Sequence, residues 1–64
     1  VGRYQVDITF IDERMWAMPF ENTSYEDLKQ IADLLFKHSP DVLRIDLTDM
    51  GDGKVHLPCI WSRE

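Results

Sequence analysis

His56 and Cys59 stand three residues apart, Asp46, Asp49 and Asp52 recur at intervals of three, and twelve carboxylates face seven lysines and arginines in a chain of 64 residues. These are the side chains from which this sequence could build chemistry. The aspartate trio invites comparison with a calcium loop, but an EF-hand loop needs oxygens at alternate positions, a glycine midway and a glutamate at its end. A spacing of three does not meet that requirement, and no dedicated metal site is expected. In an extended segment His56 and Cys59 project from opposite faces, and no second cysteine or paired histidine completes a tetrahedral zinc set. A nucleophilic Cys59 would need a base beside it, whereas His38 and His56 are both expected elsewhere. Cys59 therefore reads as a small core residue facing Ile45, with an inert thiol. Without a phosphate loop, a metal set or a nucleophile and base in register, the chain is expected to be no enzyme and to carry no cofactor.

What remains is charge. The balance of 7 − 12 = −5 on so small a surface repels nucleic acid and anionic membrane and steers the chain toward basic surfaces. Direct nucleic-acid binding is disfavoured again by the residues expected on the open face of the sheet. These are Gln5, Asp7, Thr9, Arg44, Asp46, Thr48, His56 and Ile60, which supply neither exposed aromatics nor Lys and Arg in quantity. The partner implied is a protein with a basic surface, of the kind that nucleic-acid-binding proteins present to phosphate, so that carboxylates stand in for phosphates.

The length allows one domain, spanning residues 1–64, and a chain this short buries only about 60% of the surface its unfolded form exposes. That leaves little material for a deep cleft. A hydrophobic fraction of 44% nevertheless exceeds what a disordered acidic tail would carry, so a folded globule is expected. The single cysteine cannot form an internal disulfide and suits a reducing, cytoplasmic compartment. No run approaches the roughly 18 apolar residues of a membrane span, and nothing resembles a signal sequence.

The elements that must position these residues are legible from periodicity. Tyr4, Val6, Ile8 and Phe10 alternate with Gln5, Asp7 and Thr9, and after Asp12, Glu13 and Arg14 the alternation resumes as Trp16, Met18 and Phe20. A three-residue loop over 12–14, pairing Phe10 with Trp16, keeps both apolar sets on one face. Thr23 with Glu26 fits a capping box, with Ser24 and Asp27 as a near-equal alternative. A helix follows with Tyr25, Leu28, Ile31, Ala32, Leu35 and Phe36 on its apolar stripe, and Lys29, Asp33 and Lys37 opposite at ion-pair spacing. Pro40 ends it near His38. Leu43, Ile45 and Leu47 form a third strand, Gly51, Asp52 and Gly53 a turn with Gly53 in the left-handed position, and the return strand pairs Leu57, Cys59 and Trp61 with Leu47, Ile45 and Leu43. Trp16, Phe20 and Trp61 are expected in or at the edge of the core, and Ile11, Met15, Val42 and Ile60 as exposed apolar residues.

The fold class is thus α+β, in the order ββαββ, with one helix covering one face of a four-stranded sheet. Pro58 and Pro19 belong on edge strands, where a missing donor does no harm, and this favours the strand order 2-1-3-4. A β-grasp arrangement, 2-1-4-3, is the alternative if a bulge at Pro58 tolerates a central position. Either order brings Glu21, Glu26, Asp27, Asp49 and Asp52 to one pole against Lys54, while the opposite pole mixes both signs. Singly, each carboxylate has an ordinary explanation: first-turn acids complement the helix dipole, and aspartates suit turns. Together they carry a self-repulsion that the fold does not require. The leading expectation is a small acidic module that binds, and inhibits or modulates, a protein through that protein's basic surface. The alternative is a structural or assembly module, a homo-oligomer or a subunit of a complex, whose charge serves solubility; the chain on its own is expected to be a monomer or weak homodimer.

Overall fold

The computed structural model describes residues 2–64. Two long strands, β1 (Gly2–Phe10) and β2 (Met15–Thr23), precede helix α1 (Tyr25–His38), which is followed by β3 (Val42–Asp49) and two short strands, β4 (Val55–His56) and β5 (Trp61–Ser62). The sheet is antiparallel in the order β2-β1-β3-β4, and β5 also pairs with β3. The favoured order is therefore the observed one. Pro19 lies on the outermost strand, and Pro58 falls in the gap between β4 and β5. Starting from the bonded pair Phe10 and Arg14, the antiparallel alternation makes Gln5 and Pro19 a non-bonded pair, so the proline nitrogen faces the open edge.

The first hairpin turns one residue earlier than its alternation suggests, which shifts its register by two. Ile8, not Phe10, stands opposite Trp16, and the loop is Ile11, Asp12 and Glu13, closed by Phe10 N donating to Arg14 O at 2.9 Å. A shift of two preserves the face of every side chain, which is why periodicity could not distinguish the two registers. Asp12 fixes the turn. Its carboxylate accepts from Arg14 N at 3.1 Å and Arg14 Nε at 2.7 Å, and the main-chain donor above all holds it below its ordinary value of 3.8.

Ser24 caps the helix, its hydroxyl accepting from Asp27 N at 3.1 Å, while Thr23 remains in β2 and donates to Glu21 O. Of the two capping alternatives, the second is the one formed. At the other end Arg63 donates to Phe36 O and Val42 O and stacks on the Phe36 ring, 3.8 Å from its centroid. Those contacts supply a partner for a carbonyl that the last helical turn would otherwise leave open. Asp33 accepts from Trp61 Nε1 at 2.6 Å, a contact that ties the helix to β5.

The core is Val6, Ile8, Leu28, Ala32, Val42, Ile45, Leu47 and Trp61. Val42 is a correction, since it is 1% exposed where an open position was expected. Thr9 pairs with Arg44 and Phe10 with Val42, so Leu43 is an extra residue in β3, and this bulge turns Val42 inward. A second departure lies on the return strand. Leu57 N bonds Leu47 O as the register required, but Ile45 then pairs with Trp61 and Leu43 O accepts from Arg63 N. Two additional residues loop out around Pro58, and Cys59 leaves its expected place opposite Ile45. Trp16 is the third correction: it is 60% exposed and stands outside the core.

Candidate functional site

The antiparallel order determines which carboxylates share a pole. Tyr4 near the start of β1 stands opposite both Phe20 and Asp49, Gly2 stands opposite Thr23, and α1 begins directly after β2. Glu21, Glu26, Asp27, Asp49 and Asp52 are thereby collected at the end of the sheet where β1 begins. Glu21, Glu26, Asp27 and Asp52 are exposed and Asp49 is half-buried, and among the described residues none of the five is in an ion pair. Their local roles differ. Asp49 Oδ1 accepts from Gly51 N at 2.9 Å and so holds its turn, and Glu26 and Asp27 lie in the first turn of α1, where the helix dipole favours them. Glu21 and Asp52 make no side-chain hydrogen bond among the described residues.

The pole is less one-sided than the sequence suggested, because Arg3 joins Lys54 there, with Arg3 Nη2 donating to Met50 O at 3.2 Å. Five acids against two bases leave 2 − 5 = −3. At the opposite end Asp12, Glu13, Asp41 and Glu64 stand against Arg14, Lys37 and Arg63, 3 − 4 = −1, so more than half of the net −5 belongs to the acidic pole.

The open face of the sheet brings together groups that the sequence kept apart. Asp7 and Asp46 are directly opposite across β1 and β3, an arrangement of like charges that costs stability unless a cation intervenes. Arg44 intervenes. Its Nε and Nη2 bond Asp46 at 2.9 and 2.8 Å, its Nη1 reaches Glu64 Oε1 at 3.1 Å, and the bonds to Asp46 raise the guanidinium further above its ordinary value. Asp7 accepts from Gln5 Nε2 at 3.0 Å. His56 and Cys59 border the same shallow depression as Asp7, Arg44 and Asp46. Both are otherwise engaged: His56 Nδ1 lies 3.1 Å from Thr48 Oγ1, and Cys59 Sγ lies 3.1 Å from Ile45 O and 3.2 Å from Trp61 O. Cys59 thus fills the looped-out segment and sits beside the core, not in it. Among the described residues no three His, Cys, Asp or Glu side chains are placed to share a metal ion.

One feature of the surface escaped the sequence reading. On the helix side of the sheet, β2 is mostly uncovered, and Trp16, Met18 and Phe20 face the same side as the exposed helical residues Ile31 and Leu34. Between Met18 and Phe20 of β2 and Leu28, Ile31 and Leu35 of α1 lies a small apolar gap of about 30 Å³ over a floor of Val6 and Ile8. Beside it, toward the acidic pole, a shallow open groove is lined by Phe20, Asn22, Asp27, Gln30, Ile31 and Leu34. The signal was present in the sequence, since the hairpin and the helix both carry more large apolar residues than one helix on one sheet can cover. Among the described residues no helix is long and apolar enough to cross a membrane. The chain matches no family model, no curated protein and no solved structure.

Proposed function

We propose that this chain is a protein-binding module that engages a basic surface on another protein through its acidic pole, and that it inhibits or modulates that protein. The observation that carries the reading is the concentration of five carboxylates, none in an ion pair among the described residues, at one end of a molecule whose other end is close to balance. A basic channel that binds nucleic acid is the surface such a pole would suit, with carboxylates in the place of phosphates. The role involves no covalent step. Cys59 and His56, the residues closest to a nucleophile and base, have main-chain and Thr48 partners instead.

The long axis of 32 Å separates the poles by about three Debye lengths at 0.1 M salt, so the acidic end attracts as a local charge whatever the other end carries. Glu21→Lys with Asp52→Lys is the informative variant, because neither side chain holds the fold, whereas Asp49 supports its own turn. Proteins captured from a lysate on the immobilised chain at low salt should be released as salt rises, and the double variant should lose them by at least tenfold. Capture that is unchanged in the double variant, or that survives high salt, would overturn the reading. The exposed apolar row on β2 favours a second reading, a self-associating assembly module, which predicts a sedimentation mass of twice the monomer.

A further inference from the structure

Strands stand about 4.8 Å apart, so four of them span about 15 Å, whereas a helix with its side chains is about 10–12 Å across. One helix cannot cover this sheet. Here α1 packs mainly against β3 and β5, and the side of the sheet left over is that of β2. The uncovered strip is apolar: Trp16 is 60%, Ile31 51% and Leu34 61% exposed, with Met18 and Phe20 half-buried between them. Together these present on the order of 400 Å² of apolar surface, the size of the largest patch on an ordinary monomer, which is often functional. The two ends of the strip differ in charge. Asp27 lies toward the pole end, and Arg14, Lys37 and His38 toward the hairpin tip, where Phe10 and Trp16 meet edge to face at 5.8 Å.

We infer that this groove is a docking site for an amphipathic helix of a partner protein, lying beside α1 on the inner face of β2 and carrying Lys or Arg at the end nearest Asp27. The inference rests on the proposed role of the acidic pole and extends it from a charged surface to a shaped one. Area and charge together select this occupant. A stable dimer of globular chains buries about 800 Å² on each partner, roughly twice what the strip offers, whereas a single helix laid in a groove needs only a few apolar anchors. A second copy would bring another net −5 against this one, and Pro19 interrupts the open edge through which β2 would extend a sheet. A partner helix with a basic end meets neither obstacle.

The probe is a synthetic helical peptide of about five turns, with leucines at i, i+3, i+4 and i+7 and lysines at one end, compared with a scrambled peptide of the same composition. Titrated into the isotopically labelled chain, the ordered peptide should shift the Trp16 indole and the amides of Phe20, Ile31 and Leu34, and bind at least tenfold more tightly than the scrambled one. Leu34→Glu and Trp16→Glu, both at exposed positions, should each weaken it by tenfold or more while leaving the amide spectrum folded. Equal binding of the two peptides, or full binding by both glutamate variants, overturns the groove. Concentration-dependent dimerisation abolished by Trp16→Glu overturns it in favour of a second copy. If the glutamate variants bind normally and Glu21→Lys with Asp52→Lys does not, the groove fails and the acidic pole stands. If only the glutamate variants fail, the groove stands and the pole fails.

Discussion

Glu13 occupies the left-handed region at φ 74, in the last position of the first hairpin loop. A side chain there crowds its own carbonyl, and glycine is the usual resident because it has no Cβ. Asn22, at φ 54, is in the same region where β2 bulges against β1, but asparagine is the non-glycine residue that tolerates it best. Glu13→Gly should therefore stabilise the domain by about 0.5–1 kcal/mol. Urea unfolding checks this through a higher midpoint at an unchanged slope, and an unmoved midpoint would show that Glu13 carries no strain. The sequence revealed the missing glycine but placed the loop one residue later, on Asp12, Glu13 and Arg14. The main-chain and side-chain bonds from Arg14 to Asp12 are what choose the earlier loop, and no periodicity encodes them. Cys59 and Asp33 teach the same lesson. Asp33 stood at ion-pair spacing from Lys29 and Lys37, yet its observed partner is the indole of Trp61, a residue distant in sequence.

Alternation with period two decides which face a side chain occupies, so the sequence was sufficient for which segments lie side by side in the sheet and, through the two prolines, for their order. It is blind to shifts of two, and it misplaces residues beyond a bulge. Leu43 is that bulge, and its effect is to exchange Val42 for Leu43 in the core. Val42→Ala should consequently cost about 2 kcal/mol, the transfer free energy of two buried methyl groups with some cavity cost, in a domain whose total stability is only a few times that. A loss under about 0.5 kcal/mol by thermal or urea unfolding would place Val42 at the surface and remove the bulge from the account. The break between β4 and β5 has a similar origin. Pro58 cannot donate to β3, the chain loops out around it, and Ile45 finds Trp61 two residues further on. What the sequence could not show was the lateral position of α1. The stripe from Tyr25 to Phe36 guarantees that the helix packs on the sheet, but where it packs depends on Trp61, Asp33 and Arg63 drawing it toward β3 and β5. That displacement is what exposes Trp16, Ile31 and Leu34.

At the scale of the molecule, two electrostatic contributions oppose each other, and salt separates them. The described ion pairs, Arg14 with Asp12 and Arg44 with Asp46 and Glu64, involve side chains at or near the surface, where such pairs contribute little. The five carboxylates at one pole repel one another, and only Arg3 and Lys54 moderate them. Both contributions weaken as added sodium chloride shortens the screening length, but in opposite directions. If the pole dominates, the unfolding temperature should rise by a few degrees between about 10 mM and 0.5 M salt, since about 1 kcal/mol corresponds to roughly 4–8 °C in a domain of this size. Glu21→Lys with Asp52→Lys, which changes the net charge from −5 to −1, should then melt higher at low salt and lose most of that salt response. An unfolding temperature that falls with salt would mean that the Arg44 network outweighs the pole. In that event the clustered acids cost the fold little, and an argument that they are retained for binding, at the expense of stability, would lose its physical basis.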